Sequence, residues 1–346
     1  MRWLNVSINA LGYELAPNVV TSRDLEKRLI PLYQDLHFQP GQLEALTGIR
    51  ERRFWDKGVT MADAAILAGQ KALAKSAVPL EDIDMLIYGG VCRDHLEPAT
   101  ACKVAHELGI SADATIFDIS NACLGILNGM VQVANAISLN QIRAGLVLSA
   151  ESSRQIVEST VERMLAFRDM ETFKESIATL TGGSGAVAVL LTHQDYAANG
   201  HALLGGAVRN ATVHHQLCTW GPDSGIPASM PLTMRTDSVN VLKHGVTLGI
   251  NTFMDFKENL ELTPDEPDKI ICHQVGAAHQ KTILQSLKID SKKDFVTYPY
   301  LGNIGTVSLP ITAAIAEERG FFSKGDLVGF LGIGSGLNCI MLGVRW

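Results

Sequence analysis

Much of what would mark an exported or membrane-bound protein is missing from this sequence. None of its six cysteines (Cys92, Cys102, Cys123, Cys218, Cys272 and Cys339) stands in a C-x-x-C pair, so the pattern suggests neither a disulfide framework nor a zinc site. The adjacent His214 and His215 lack a carboxylate or third ligand at useful spacing, and no metal is expected. No stretch approaches the roughly 20 apolar residues of a membrane span. The first seven residues hold no apolar core with a small-residue cleavage site, so no secretory signal is read and a reducing cytoplasm is the expected compartment. Basic excess is absent too. A net charge of −7 argues against nonspecific binding to nucleic acid, although a local basic pocket could still hold an anionic ligand.

What remains is an α/β composition. The 346 residues are 47% hydrophobic and 19% charged, enough chain for two domains or one large one with a sizeable core. Residues 3–12 read as a strand and Ser22 opens a capped helix. An Ala-rich helix follows at 61–75, and compact apolar strands at 84–91, 145–150 and 186–192. Later come a long helix at 239–260, strands at 269–275, 295–298, 327–332 and 339–344, and helices at 277–287 and 306–319.

One stretch stands out. Residues 114–119 read as a buried strand, and from Leu124 the apolar residues recur at helical spacing, through Leu127, Val131 and Ala134. Cys123 therefore sits where a strand hands over to a helix. Unpaired N–H groups and the helix dipole at such a place favour a thiolate. The same position also suits a buried structural cysteine.

The spacing repeats in the second part of the chain. Leu86 to Cys123 is 37 residues and Ile270 to Asn303 is 33; Cys123 to Leu146 is 23 and Asn303 to Leu327 is 24. Such agreement suggests two similar halves, 1–193 and 194–346, with Cys123 and Asn303 at matching strand-to-helix turns. In parallel α/β architecture the carboxyl ends of strands are where sites form. Thiol chemistry needs a base or electrophilic partner and donors for an oxyanion. His273, at the end of a second-half strand, and Asn303 could supply them. Taken singly, His273 is most simply a core residue and Asn303 a cap. Together with Cys123, at corresponding strand ends, they point to catalysis.

These residues carry a resemblance. The stretch Asn121-Ala122-Cys123, the His273 strand, the Gly302-Asn303 turn, the segment Thr47-Gly48-Ile49-Arg50-Glu51-Arg52 and the C-terminal Gly334-Ser335-Gly336 resemble the thiolase superfamily, closest to the ketoacyl-acyl-carrier-protein synthase III (FabH-like) type. The resemblance runs over nearly the whole chain and implies a duplicated five-layer αβαβα fold, generally an obligate homodimer. The run Leu96-Glu97-Pro98-Ala99-Thr100-Ala101, with Glu97 placed 26 residues before Cys123, resembles the OleA-type enzymes of olefin synthesis. There the glutamate serves the neighbouring subunit's cysteine, and two fatty acyl-CoAs are joined head to head into a 2-alkyl-3-ketoacid.

By that resemblance Cys123 takes the acyl group and the N–H groups of Cys123 and Ser335 hold the oxyanion. His273 and Asn303 then stabilise an enolate that Glu97 generates, and no cofactor beyond the CoA thioesters is implied. The alternatives are decarboxylating condensation with malonyl-acyl-carrier protein, with acyl-acyl-carrier protein as a possible donor, or acyl transfer or hydrolysis without condensation. FabH-type synthases use a Trp and an Arg against the CoA adenine where this chain has Gln42 and Leu46. Arg50, Arg52 and Arg53 are therefore the candidates for the nucleotide end. The glycine turn 182–185, with Gly183 where many relatives have Asp, reads as packing. Residues 164–173 could border an acyl channel or be ordinary helix packing.

Overall fold

The computed structural model describes residues 1–196, 200–221, 233–263 and 266–346. Its frame is a hydrogen-bonded sheet of nine strands: β1 (Val6–Leu15), β2 (Ile83–Gly89), β3 (Thr115–Ile119), β4 (Ala144–Glu151), β5 (Gly185–His193), β6 (His201–Asn210), β7 (Lys269–Cys272), β8 (Leu327–Gly334) and β9 (Asn338–Arg345). The spatial order is β7-β8-β9-β6-β1-β5-β4-β2-β3. At the centre β1 and β6 meet only through Ser7 with Ala202 and Ile8 with His201. Two half-sheets thus touch along a narrow seam.

The duplication shows in the pairing. β2 is parallel to β4, which is antiparallel to β5, itself antiparallel to β1. In the same sequence of directions β7 pairs with β8, β8 with β9 and β9 with β6. The strand set differs from the sequence reading in two places. β6 was not expected, because Gly205 and Gly206 interrupt its apolar pattern. The strand expected at 295–298 does not form. Where β3 lies beside β2, the second half has a single parallel bridge, Ile270 to Asp294. Pro299, which has no N–H to give a ladder, instead helps start the short helix Tyr298–Leu301.

Six helices complete the layers: α1 (Met61–Ala74), α2 (Thr100–Leu108), α3 (Gly125–Ser138), α4 (Ser238–Leu260), α5 (Ala277–Leu287) and α6 (Ser308–Glu318). α1 and α2 cover the outer face of the first half through Ala65, Ala68 and Val104, against Leu86, Leu146 and Leu190. α4 and α5 cover the second through Leu248, Phe256 and Leu284, against Ile270, Leu331 and Met341. Between the half-sheets, α3 and α6 share one core with Val147 and Val189 of the first and Phe330 and Leu342 of the second. The result is helix, sheet, helix, sheet, helix. α6 shows its position in its composition: Ser308 through Ala316 are all buried, as a helix wrapped on every side requires.

The cap before the first helix, Ser22–Arg28, is Thr21 rather than Ser22; the Thr21 hydroxyl accepts from the Asp24 N–H at 3.1 Å in a capping box. The Ala-rich face of α1 lets β1 approach closely: a Cβ on Gly12 would lie 2.3 Å from Ala72 N and 2.4 Å from Ala68 O. Gly12→Ala must therefore push α1 off the sheet. We expect a loss of about 1–3 kcal/mol, read as a Tm lower by several degrees in thermal unfolding.

Candidate active site

A cavity of about 470 Å³ is lined by Cys123, His273, Asn303 and Ser335, residues drawn from both halves. Cys123 lies between β3 and α3, just after Ala122, whose φ of 45° is uncommon for a residue with a side chain. Strain of this kind concentrates at functional sites when the surroundings enforce it. Here they do. Leu124 N–H donates to Asn121 O at 2.9 Å. Asn121 Nδ2 donates to Asn128 Oδ1 at 2.7 Å, and Asn121 Oδ1 accepts from Asn338 Nδ2 at 3.1 Å. Asn338 Nδ2 also lies 3.4 Å from Ser335 O, tying the cysteine turn to the β8–β9 turn. A Cβ on Gly334 would be 3.3 Å from Cys123 N, so the Gly334-Ser335-Gly336 backbone presses directly on the cysteine.

His273 follows the last residue of β7, and its N–H donates to Leu331 O at 3.0 Å. Burial, with His279 adding to it, lowers the imidazole to about 4, so near neutral pH it is uncharged and carries one N–H. Asn303 is pinned by its backbone: N–H to Thr181 O at 2.9 Å, C=O from Gly183 N–H at 2.9 Å. Its Oδ1 accepts from Gly305 N–H at 3.1 Å, which leaves Nδ2 as the donor end of that amide. Gly302 takes φ 69°, and a Cβ there would be 2.4 Å from Thr181 O, so this turn requires glycine. Gly183 is likewise a packing residue, since a Cβ would meet Leu301 O at 2.2 Å.

The cysteine departs from the expected thiolate. Burial, with Cys218 and Glu151 adding to it and its own backbone N–H opposing, pushes the thiol up to about 12. The helix starts two residues later, at Gly125, and its dipole does not outweigh the loss of water. The resting group is a neutral thiol.

Other expected residues are placed differently. Arg52 is fully buried and donates to Val20 O, Ser22 Oγ and Leu180 O at 3.1–3.3 Å. It cannot reach a nucleotide; it buttresses the asparagine turn, where a Cβ on Gly302 would lie 3.2 Å from Arg52 Cβ. Burial lowers its guanidinium to about 10, against the opposing charge of Glu51. Arg53 is partly buried and donates to Ala16 O at 3.3 Å, while Arg50 is exposed. Neither lines the cavity, although Leu46 and Thr47 do. Met164 and Phe173 pack with Leu25, Leu29 and Tyr33 in a separate core, which decides for packing; Ile177, Ala178 and Thr181 border the cavity instead. Glu97 is exposed and does not line its own chain's cavity.

Sequence reasoning did not find Asn121, Asn338 or Glu151. Glu151 ends β4 almost wholly buried, and its oxygens accept from the N–H groups of Val91 at 3.0 Å and Cys92 at 3.1 Å. An acid closing an otherwise apolar strand was the available signal.

Residues 47–197 match the family described as "Thiolase, N-terminal domain", and residues 257–346 the one described as "3-Oxoacyl-[acyl-carrier-protein (ACP)] synthase III C terminal". An acyl-CoA:acyl-CoA alkyltransferase of Shewanella oneidensis is 51% identical over 349 residues, covering 100% of both chains. One from Xanthomonas campestris is 36% identical over 348 residues, again covering 100% of both. A crystal structure of a cysteine-to-serine variant of Xanthomonas campestris OleA with bound lauric acid and lauroyl-CoA superposes with a TM-score of 0.93 at 36% identity, covering 99% of this chain and 100% of that one.

A neutral, desolvated thiol makes a specific prediction. Alkylation of Cys123 by iodoacetamide, followed by peptide mass spectrometry, should still be rising at pH 10 rather than levelling off near the ordinary thiol value of about 8.5. A plateau below pH 9 would contradict the upward shift.

Proposed function

Because the chain belongs to the thiolase superfamily, in its acyl-CoA:acyl-CoA alkyltransferase (OleA) branch, we propose that it joins two fatty acyl-CoAs head to head by a non-decarboxylative Claisen condensation. The observation that carries this is the meeting of Cys123, His273, Asn303 and Ser335 in one cavity. Cys123 attacks the first thioester, its proton passing by way of the neutral His273 imidazole to the departing CoA thiolate. The acyl group stays on sulfur. The N–H groups of Cys123 and Ser335 are the donors for the oxyanion. The backbone contact of Gly334 against Cys123 supports that pairing.

The second acyl-CoA places its thioester oxygen between the His273 N–H and Asn303 Nδ2. Donors aimed at a developing enolate oxygen make a weakly acidic α-carbon reachable. Glu97 removes the α-proton. The carbanion attacks the acyl-cysteine carbonyl and expels the Cys123 thiolate, and water then frees the 2-alkyl-3-ketoacid and the second CoA. Side chains and CoA thioesters suffice for each step. Val241, Leu242, Val246, Ile283, Leu337 and Met341 give the cavity its apolar wall for alkyl chains. The decarboxylating reaction is not favoured, since the relatives at 51% and 36% identity both carry the alkyltransferase name.

Glu97 is read as serving a second copy of the chain. Two observations support a homodimer. Glu97 stands exposed, outside its own cavity. β3, at the end of the sheet order, pairs only with β2 among the described residues, and Ile116, Phe117 and Ile119 on it are only partly covered. An unpaired apolar edge invites another chain. The chain is taken to work in the cytoplasm; among the described residues no helix is long and apolar enough to cross a membrane.

Two substitutions test this reading. Cys123→Ser should abolish acyl transfer: intact-mass measurement after lauroyl-CoA should find no thioester adduct, and wild-type turnover by that variant would refute the nucleophile. Glu97→Gln should leave the acyl-Cys123 adduct in place and lower condensation by about 100-fold or more, measured as CoA released against product mass. Carbon dioxide release in step with product would instead select the decarboxylating reaction.

A further inference from the structure

Glu151 is a carboxylate that touches both loops of the proposed chemistry. It is only 4% exposed, and among the described residues no Lys, Arg or His forms an ion pair with it. A buried charge without a cation costs several kcal/mol unless hydrogen bonds compensate. An apolar residue at this strand end would be cheaper. Its hydrogen bonds come from the backbone of one segment, and a second segment packs against it. Val91 N–H lies 3.0 Å from Oε1 and Cys92 N–H 3.1 Å from Oε2; burial raises the carboxyl pKa, and the nearby Thr306 backbone opposes that shift. On the same side a Cβ on Gly305 would sit 3.3 Å from Glu151 Cγ.

Those two segments matter differently. Val91 and Cys92 begin the loop that carries Glu97. Further along, Asp94 accepts from Met61 N–H at 2.6 Å and Ala62 N–H at 3.2 Å. The far end is held by Asp118, which accepts from the N–H groups of Thr100 and Ala101 at 2.9 Å each. Between these anchors residues 95–98 are exposed. Thr306, for its part, belongs to the turn that presents Asn303, and its hydroxyl accepts from Ile126 N–H at 2.8 Å at the start of the cysteine helix. An anionic carboxylate can accept at both oxygens in several directions, whereas a carboxamide has one accepting atom.

We infer that Glu151 is a positioning residue: it sets the loop that offers Glu97 to the neighbouring site and ties that loop to the Asn303 turn of its own subunit. The inference rests on the reading of Glu97 given above. Glu151 touches no substrate; it acts on proton abstraction through the loop alone. Loss of one acceptor should loosen residues 91–94 and misplace the base. A displacement of about 1 Å in a reacting group can cost on the order of 100-fold.

The test measures two steps in the intact enzyme with lauroyl-CoA as the probe: acyl-Cys123 formation in a single turnover by rapid quench and mass spectrometry, and condensed product at steady state. Glu151→Gln should form acyl-Cys123 at least as fast as wild type, because a negative neighbour of the thiol is gone. Condensation should fall about 10- to 100-fold, with faster hydrogen exchange at the amides of residues 91–94. Glu151→Asp keeps the charge but shortens the reach, and should show the same split even if the Gln variant does not fold. Acylation and condensation falling together, or condensation unchanged in both variants, would overturn the positioning role. Glu97→Gln assayed alongside separates the readings. A fully active Glu97→Gln removes the base assignment itself, whereas an inactive one beside an unaffected Glu151→Gln removes only the positioning role.

Discussion

Burial of α3 and α6 between two half-sheets is the constraint from which the rest of the molecule follows. α6 is buried on every side from Ser308 to Ala316, and α3 buries all but a polar stripe of Asn128, Gln132 and Asn135; Ile126, Met130 and Val133 on one and Ile311 and Ile315 on the other share a core with strands of both halves. Their N-terminal turns cannot then be placed freely. The turn into α3 carries Cys123 and the turn before α6 carries Asn303, and both open on the same cavity. The hydrogen bond from Ile126 N–H to Thr306 Oγ1, 2.8 Å long, fastens one helix start to the other. The convergence of Cys123 and Asn303 on one cavity is thus a by-product of packing two copies of one motif back to back. The β1–β6 seam, two residue pairs wide, contributes little beside that shared core.

Desolvation sets the chemistry of the groups so gathered. The same exclusion of water raises the Cys123 thiol and lowers the His273 imidazole, leaving both uncharged. Charge then develops on this pair only as the thiol proton moves to the imidazole during attack, and the resting site holds none. A neutral pair can also sit in an apolar cavity suited to alkyl chains without the cost of a buried ion. Two of the buried charged side chains, Arg52 and Glu151, pack against the Asn303 turn, and their hydrogen bonds go largely to backbone atoms. They stiffen the scaffold of the site and leave its interior neutral.

How far the sequence reached can be judged residue by residue. The strand–Cys–helix junction was legible because periodicity changes from strand to helix across it. Asn303 was legible because the spacing around it repeats the spacing around Cys123. β6 escaped because adjacent glycines erased its alternation, and the 295–298 strand was overcalled because an apolar run says nothing about whether a partner has room for it. Arg50, Arg52 and Arg53 were read together as candidates for the nucleotide end. In the folded chain Arg52 points inward, because side chains alternate along the short strand Glu51–Phe54. Glu151 stood out only as an acid at the end of an apolar strand; its place in the site lies in donors 59 and 60 residues away.

The linear order of residues therefore determined the duplication, written in the repeated spacing around Cys123 and Asn303, and the short motifs whose resemblance implies the five layers and the proposed reactive groups, because such patterns survive without neighbours. The tertiary structure decided the protonation of those groups, the withdrawal of Arg52 from the surface and the exposure of Glu97 outside its own cavity. Each depends on how much water the assembled halves exclude and on which distant backbone atoms come within about 3 Å of a side chain. No stretch of chain contains that information by itself.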